Sequence, residues 1–260
     1  VTGTLDQGRQ ITIYTDGKGD QIYVDDTYIG TSPLTASISF GNHKVYATRG
    51  NDKTDVMSFS VTTAVADNST VSLSFKPIIA GHEYVDLGLP SGLKWATCNV
   101  GASSPEGYGS YFAWGETSTK SKYNSDNCAT YDKTTSWLKS NGYIDSRGNL
   151  TPLHDAARAN WGSTWRMPTI AEIDELIENT TTTWTTRNGV KGRLVTSKRN
   201  SKNIFLPAAG CRVWTLLFNE GSDGRYWSST PYESDTYIAY YLFFYSGIFG
   251  RDWSDRFNGR

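Results

Sequence analysis

Met57-Ser58-Phe59-Ser60-Val61 and Val71-Ser72-Leu73-Ser74-Phe75 set apolar and small polar residues in strict alternation. A period of two sends successive side chains to opposite faces, so each run reads as a half-buried β-strand; neither can lay an apolar stripe along a helix. Working outward, the alternation recurs at Ile11-Thr12-Ile13 and Val45-Tyr46-Ala47. Turn residues separate the runs at Asp16-Gly17, Asp25-Asp26, Gly30 to Pro33, Gly41-Asn42 and Gly50-Asn51. Short strands punctuated in this way predict a small all-β sandwich over Gln10 to Phe75, with no helix.

Lys76-Pro77-Ile78-Ile79-Ala80-Gly81 breaks the alternation. Pro77 has no N–H to give to a ladder, so a domain seam is expected there: a first domain over residues 1–76, a linker over 77–81 and a second domain over 82–260. The second domain mixes strands with two helical patches, and the fold class is mainly β with two α-helices. Thr151-Pro152-Leu153 offers a capping hydroxyl and a proline at the first helical position, with Leu153, Ala156, Ala157 and Trp161 on one side. Thr169-Ile170-Ala171-Glu172 is a capping box, followed by Ile173, Leu176 and Ile177 at helical spacing. After it, Trp184 to Arg187 and Val190 to Thr196 flank Asn188-Gly189, a strong hairpin signal. Further strands are expected at Asn203 to Leu206, Arg225 to Ser229, Tyr237 to Phe244 and Gly250 to Trp253.

The 260 residues suffice for two cores. A net charge of −1 with interspersed signs leaves no electrostatic footprint for nucleic acid. No run approaches the ~18 apolar residues of a membrane span, and any export signal or lipid-attachment cysteine is expected upstream of Val1. Nine Trp and sixteen Tyr with many Thr, Ser, Asn and Gly suit a β-rich exported chain with polar loops. Cys98, Cys128 and Cys211 are an odd set without C-x-x-C spacing, so one internal pair at most can form.

Two resemblances extend this reading. Ile22-Tyr23-Val24-Asp25-Asp26-Thr27-Tyr28-Ile29-Gly30-Thr31-Ser32-Pro33-Leu34, followed by Gly41-Asn42-His43-Lys44-Val45, resembles the PEGA domain family across most of residues 9–75. The family's eponymous Pro-Glu-Gly-Ala stretch is occupied by Gly17-Lys18-Gly19-Asp20, and Asp26 stands where the family usually has a hairpin glycine. The resemblance implies a module appended to bacterial envelope and surface proteins, a spacer or docking element. In the second domain, Glu83 to Ala96, Trp165-Arg166-Met167-Pro168-Thr169, Leu206-Pro207-Ala208-Ala209-Gly210 and Gly224 to Thr230 together resemble the Fibrobacter succinogenes major paralogous domain family. That family is similar to the C-type lectin fold, in which two helices pack on antiparallel strands with long loops. Its members are exported surface proteins of Gram-negative anaerobes, of the adhesin type. Asp255 to Arg260 resembles the run that in the family leads into one more short strand, so a further terminal segment is expected.

Catalysis needs a nucleophile, base or metal set within mutual reach, and the supply is small. His43, His82 and His154 are the only histidines, and each reads as structural or solvated. No G-x-S-x-G elbow, H-E-x-x-H helix, Walker loop or Rossmann fingerprint occurs. A cysteine-dependent oxidase branch exists within the lectin-like fold, but Cys98 and Cys211 lie in apolar surroundings and read as inert. Calcium prefers six to eight oxygens, and the Glu-Pro-Asn, Gln-Pro-Asp and Trp-Asn-Asp motifs that supply them in sugar-binding lectins are all missing. Asp223, Asp235, Asp252 and Asp255 could still assemble a cation site, though no motif organises them, and no cofactor is expected.

There remains an aromatic and polar set in the C-terminal loops. Trp214, Tyr232, Tyr237 and Trp253 accompany Asn219, Glu220, Asp223, Arg225, Glu233 and Asp235. Such a mixture stacks on the apolar face of a sugar while bonding its hydroxyls, and equally suits a protein hot spot. Trp95, Trp114, Trp161, Trp165 and Trp227 fall in or beside the family blocks and read as core; Trp214 and Trp253 stand between packing and recognition. The expected function is therefore a non-enzymatic cell-surface binding or adhesion protein taking an extracellular glycan or protein ligand, with Trp214, Asn219, Glu220, Asp223, Arg225, Tyr232, Glu233, Asp235 and Trp253 as candidate contacts. The alternative is a structural surface or fimbria-associated component assembled through sheet edges.

Overall fold

The computed structural model describes residues 8–50, 52–162 and 164–260. Residues 1–7 of the expected first domain and Asn51 of the expected Gly50-Asn51 turn lie outside the described residues. Among these, nineteen strands and three short α-helices make the chain mainly β. It divides into two compact units, the first ending at Pro77 and the second spanning Ile78–Arg260.

The first unit contains β1 (Gly8–Thr15), β2 (Gln21–Val24), β3 (Thr27–Thr31), β4 (Leu34–Ser39), β5 (Gly41–Arg49), β6 (Asp52–Lys53), β7 (Met57–Val61) and β8 (Ser69–Leu73). One sheet has the order β4-β1-β8; the other runs β3-β2-β5-β6, with β7 also paired to β5. Ile11, Ile13, Ile22, Val24, Ile38, Val45, Ala47, Val61 and Leu73 meet in one core. A fully buried Ile or Val contributes about 1.5–3 kcal/mol, and a one-residue slip of any strand would turn its whole set to water. The register is therefore fixed by the alternation itself. Asp25 and Asp26 connect β2 to β3 with φ of 48° and 62°. Two positive φ values make the tight hairpin turn that matches strand twist, and Asp tolerates this conformation better than most residues with a Cβ.

The second unit begins with β9 (Ile78–Ile79), so the expected linker contributes a strand, antiparallel to β10 (His82–Val85), which also pairs β11 (Trp95–Ala96). A long, mostly irregular stretch then leads to α1 (Thr135–Ser140), capped by Thr134 Oγ1, which accepts from Trp137 N at 3.1 Å. This helix has under two turns and no periodic stripe. α2 (Ala156–Trp161) starts later than the Thr151-Pro152 signal implied. Thr151 Oγ1 donates instead to the Gly142 carbonyl (2.6 Å), and Leu153 is exposed. The cap is Asp155, whose carboxylate accepts from Arg158 N (2.9 Å) and Met167 N (2.8 Å). A charged acceptor serving two backbone donors outcompetes a hydroxyl serving one. α3 (Ile170–Asn179) follows the Thr169–Glu172 capping box, with Ile173 and Leu176 fully buried.

Next come β12 (Thr180–Arg187), β13 (Val190–Ser197) and β14 (Asn203–Pro207), forming one antiparallel sheet. Asn188 and Gly189 make the β12–β13 turn with φ of 48° and 84°. β15 (Cys211–Val213) and β16 (Leu216–Phe218) make a small hairpin, and β17 (Asp223–Pro231), β18 (Ile238–Tyr245) and β19 (Phe249–Asp255) a three-stranded sheet. Leu242 and Phe244 of β18 join Ile173, Leu176, Val195, Ile204 and Leu87 in one core cluster, while Ala239 and Tyr241, on the alternate face, join Trp114, Leu138 and Trp227 in another. The last residues are threaded into the interior. Arg260 and Phe112 exchange N–H···O bonds of 3.0 and 3.1 Å, Trp114 N donates to the Arg256 carbonyl, and Gly259 pairs with Arg212.

Candidate ligand-binding site

The structure puts six of the nine candidate residues in three places. Trp214 occupies the β15–β16 turn with φ 56°, its main chain bonded in both directions to Tyr123 and its ring 53% exposed beneath Lys122 Nζ at 4.5 Å. Asn219, Asp223 and Arg225 form a hydrogen-bonded trio. Arg225 donates to both oxygens of Asp223 at 3.1 and 2.9 Å, and Asn219 Nδ2 donates to Asp223 Oδ2 at 2.9 Å. Asp223 is buried, so its charge neutralises Arg225 and is not offered to a ligand. Tyr232 and Trp253 do come together, with ring centroids 5.7 Å apart; Tyr240, opposite Trp253 in the β18–β19 register, lies 5.1 Å from Tyr232. Trp253 is 53% exposed, and Arg251 stands over Tyr240 at 5.7 Å. Glu220 and Glu233 are exposed, and Asp235 Oδ1 accepts from Tyr237 N.

Of the nine, only Arg225 reaches the main cavity of the second unit, a space of about 270 Å³. Its aromatic walls include Trp95, Trp161, Trp165, Tyr226 and Trp227. Trp95 and Trp161 are thus corrected from sealed core to half-buried lining, whereas Trp114, Trp165 and Trp227 are buried as expected. The indoles are held by their single donors: Trp227 Nε1 to the Phe112 carbonyl, Trp114 Nε1 to that of Ser228 and Trp165 Nε1 to that of Ile79, at 2.9–3.0 Å. Burial pushes the Tyr111 hydroxyl up to about 12, and it donates to the Ala209 carbonyl. The Trp165, Trp227 and Tyr111 rings are neutral parts of the cavity wall, and Trp114 lies in the core behind it.

The groups weighed for chemistry are scattered. All three cysteines are free, Cys98 half-buried on the cavity wall, Cys128 and Cys211 buried. Burial raises the Cys128 thiol, which disfavours the thiolate. His82 stacks on Trp161 at 4.0 Å and His154 on Tyr143 at 3.8 Å. Among the described residues no three His, Cys, Asp or Glu side chains gather as a metal would require; Asp223 is engaged by Arg225 and Asp252 by the Tyr241 hydroxyl. Nor is any helix among them long and apolar enough to cross a membrane.

In the first unit, the β2–β3 turn is tied to β5. Asp25 Oδ1 accepts from Lys44 N (2.8 Å) and Oδ2 pairs with His43 Nδ1 (2.7 Å), whose Nε2 faces the Ser39 carbonyl (2.9 Å). The Asp25 carboxylate thus anchors the hairpin to β5. Residues 9–50 match the PEGA domain. No curated protein and no solved structure matches the chain. In the PEGA region Asp20, in the segment that replaces the eponymous motif, is buried and takes a forked bond from Arg49 at 2.7 and 2.8 Å. That Arg49 bond, more than burial opposes it, holds Asp20 below the usual carboxylate range. The PEGA polar groups are therefore spent on the sandwich.

Sequence reasoning missed the cavity, whose lining includes Arg260. Its aromatic walls come from segments far apart in the chain, and no spacing relates Trp95 to Trp227 or either to the final arginine. The only legible trace was the tryptophan-rich family blocks themselves.

Proposed function

We propose that the chain is a non-enzymatic surface binding protein. In this reading the PEGA-matching unit is a spacer, and the second unit has the C-type-lectin-like architecture that its sequence blocks resemble. It contacts an extracellular glycan or protein with the Tyr232–Tyr240–Trp253 cluster. The observation that carries the reading is the exposed Trp253 indole beside Tyr232 at the β18–β19 sheet. An indole left half in water forgoes about 1 kcal/mol or more of burial, a cost that recognition recovers. Tyrosine hydroxyls and Arg251 beside it supply donors for sugar hydroxyls or a protein carbonyl.

A glycan array and a mucin-binding assay on the intact chain test this. Trp253→Ala and Tyr232→Ala are expected to weaken binding at least about tenfold, the loss typical of a stacking ring, with the melting temperature little changed. Trp214→Ala, on a different hairpin, is expected to leave that binding intact. Concentration-dependent polymerisation with no affinity for any glycan or mucin would sink the reading in favour of an assembly component, and turnover dependent on Cys98 or Cys211 would sink it in favour of an enzyme.

A further inference from the structure

Alanines make room for the cavity of the second unit. Ala96, Ala113, Ala156, Ala157 and Ala209 share the wall of this space of about 270 Å³ with the rings of Trp95, Trp161, Tyr226 and Trp227. Protein interiors are otherwise close-packed, with few voids larger than a water molecule. Two of the rings are held less firmly than the others. Trp165 and Trp227 are buried and each spends its N–H on a backbone carbonyl, whereas Trp95 and Trp161 are half-buried and their indole N–H groups bond to no protein acceptor among the described residues. Packing alone holds these two side chains. Trp161 stacks on His82 at 4.0 Å and meets Trp165 edge-on at 5.4 Å; Trp95 packs against the core cluster that contains Leu87 and Ile173.

No charge on the wall is left to face a guest. Lys94 pairs with Asp86 at 2.5 Å, Arg166 forks onto Glu172 at 2.7 and 2.5 Å, and Arg225 forks onto Asp223 at 3.1 and 2.9 Å. Arg260, the remaining charged residue of the lining, keeps its guanidinium out of the space. Its nitrogens are sealed between Trp227 and Tyr241, 4.7 and 3.9 Å from the ring centroids and beside the Tyr241 hydroxyl. A charged guest would therefore give up its water with no free counter-charge to replace it, and burying an unpaired charge is among the costliest steps in a protein interior. A neutral guest meets no such cost.

We propose that this cavity binds a small, neutral, planar apolar molecule of one or two fused rings, taken up among the indoles of Trp95, Trp161 and Trp227. An apolar cavity of ~150 Å³ accommodates benzene, so this larger space has room for a second ring. Walls built of flat rings favour a flat guest, because offset-stacked and edge-to-face ring pairs add to the area buried. Covering the indole surface of Trp95 and Trp161 that water now reaches supplies the drive. None of Tyr232, Tyr240 and Trp253 lines the cavity, so the site is separate from the surface cluster and neither proposal depends on the other.

The test uses indole and 2-naphthol as neutral planar probes, indole-3-acetate and tryptamine as charged counterparts of either sign, and 1-hexanol as a neutral chain without a ring, all on the intact chain at neutral pH. Titration calorimetry reports binding, and the melting temperature reports stabilisation. At least one planar probe is expected to bind below millimolar concentration and to raise the melting temperature, with both charged counterparts about tenfold weaker or more and hexanol about threefold weaker or more. Ala96→Phe, which fills the space with a ring of the protein's own, is expected to weaken that binding at least about tenfold while glycan and mucin binding stay as they are. Trp161→Ala, which removes a wall, is expected to weaken it about threefold or more, and it decides alone should Ala96→Phe fail to fold. No binding of either planar probe at millimolar concentration, equal affinity for the charged counterparts or for hexanol, or binding that Trp161→Ala and a folded Ala96→Phe leave unchanged each overturns the proposal.

Discussion

The guanidinium carbon of Arg256 lies 5.0 Å from the centroid of the Trp114 ring, and the two residues are also joined through the main chain, Trp114 N donating to the Arg256 carbonyl at 2.8 Å. Both side chains are wholly buried. Burial lowers the Arg256 value to about 10, so it stays charged at neutral pH, held by four backbone carbonyls and one aromatic face. Removing the side chain takes a donor from each of those carbonyls, of which, among the described residues, only that of Ile238 keeps a second one, Tyr232 N. Each buried group left unsatisfied costs about 1–3 kcal/mol, so Arg256→Met is expected to destabilise the second unit by about 3 kcal/mol or more in urea unfolding followed by tryptophan fluorescence. A loss under about 1 kcal/mol contradicts the structural role.

Asp155 offers a sharper division between two bonds. Its Oδ1 caps α2 and its Oδ2 secures Met167 N, one residue before Pro168. Asp155→Asn keeps one acceptor, and its amide nitrogen then faces an N–H. It is expected to cost about 1–2 kcal/mol, against about 2–4 kcal/mol for Asp155→Ala, which loses cap and staple together. Equal losses in the two variants, measured by the same unfolding experiment, would show that the bond kept by the amide contributes nothing.

The Asp25–His43 pair makes the first unit sensitive to pH in two directions. The Asp25 carboxylate at its Nδ1 raises His43 above the usual histidine value, against the opposing effect of burial, so its contribution is complete below about pH 6.5 and is lost as pH rises through the raised value. Lys44 N–H, then His43, lower Asp25, so its contribution is present above about pH 3.9 and is lost as pH falls through the lowered value. Amide exchange in β2 and β5 is therefore expected to be slowest between about pH 4 and pH 6.5 after correction for intrinsic rates, and His43→Asn to flatten the upper limb. An NMR titration placing His43 below its ordinary value would reverse the sign.

Two glycines separate strain from collision. Gly189 has φ 84° with open space around an added Cβ, whereas Gly210 has φ 63° and a Cβ there would lie 2.0 Å from the Phe218 carbonyl oxygen. Gly189→Ala is expected to cost about 1 kcal/mol from backbone conformation alone. Gly210→Ala is expected to cost clearly more, because a backbone carbonyl in the β15–β16 hairpin cannot step aside. Matched urea midpoints for the two would remove the collision.

Much of the fold could be read from residues whose information is local. The period-two runs gave the core of the first unit down to Ile11, Ile13 and Val61, and the Thr169–Glu172 box and Asn188-Gly189 turn formed where their chemistry required. The start of α2 was misread at Thr151 because only the fold brings Met167 N to Asp155. The candidate contacts were read from composition, and composition has no geometry. It grouped Trp214 with Trp253, which stand on different sheets, and counted Asp223 and Arg225 as free when they neutralise each other. The cavity depends on rings from Trp95 to Trp227 and on Arg260, and such long-range convergence leaves no spacing to detect.

The threading of residues 256–260 between Phe112, Trp114 and Arg212 sets an order on biogenesis. The sandwich has all its strands once residue 77 has left the ribosome and can close while synthesis continues. Its neighbour cannot close until its last arginines emerge, about 10–40 s later at ~5–20 residues per second. Throughout that interval the tryptophan-rich half is an open chain, and whatever escorts it, chaperone or export machinery, meets unfolded indoles while the leading half is already native.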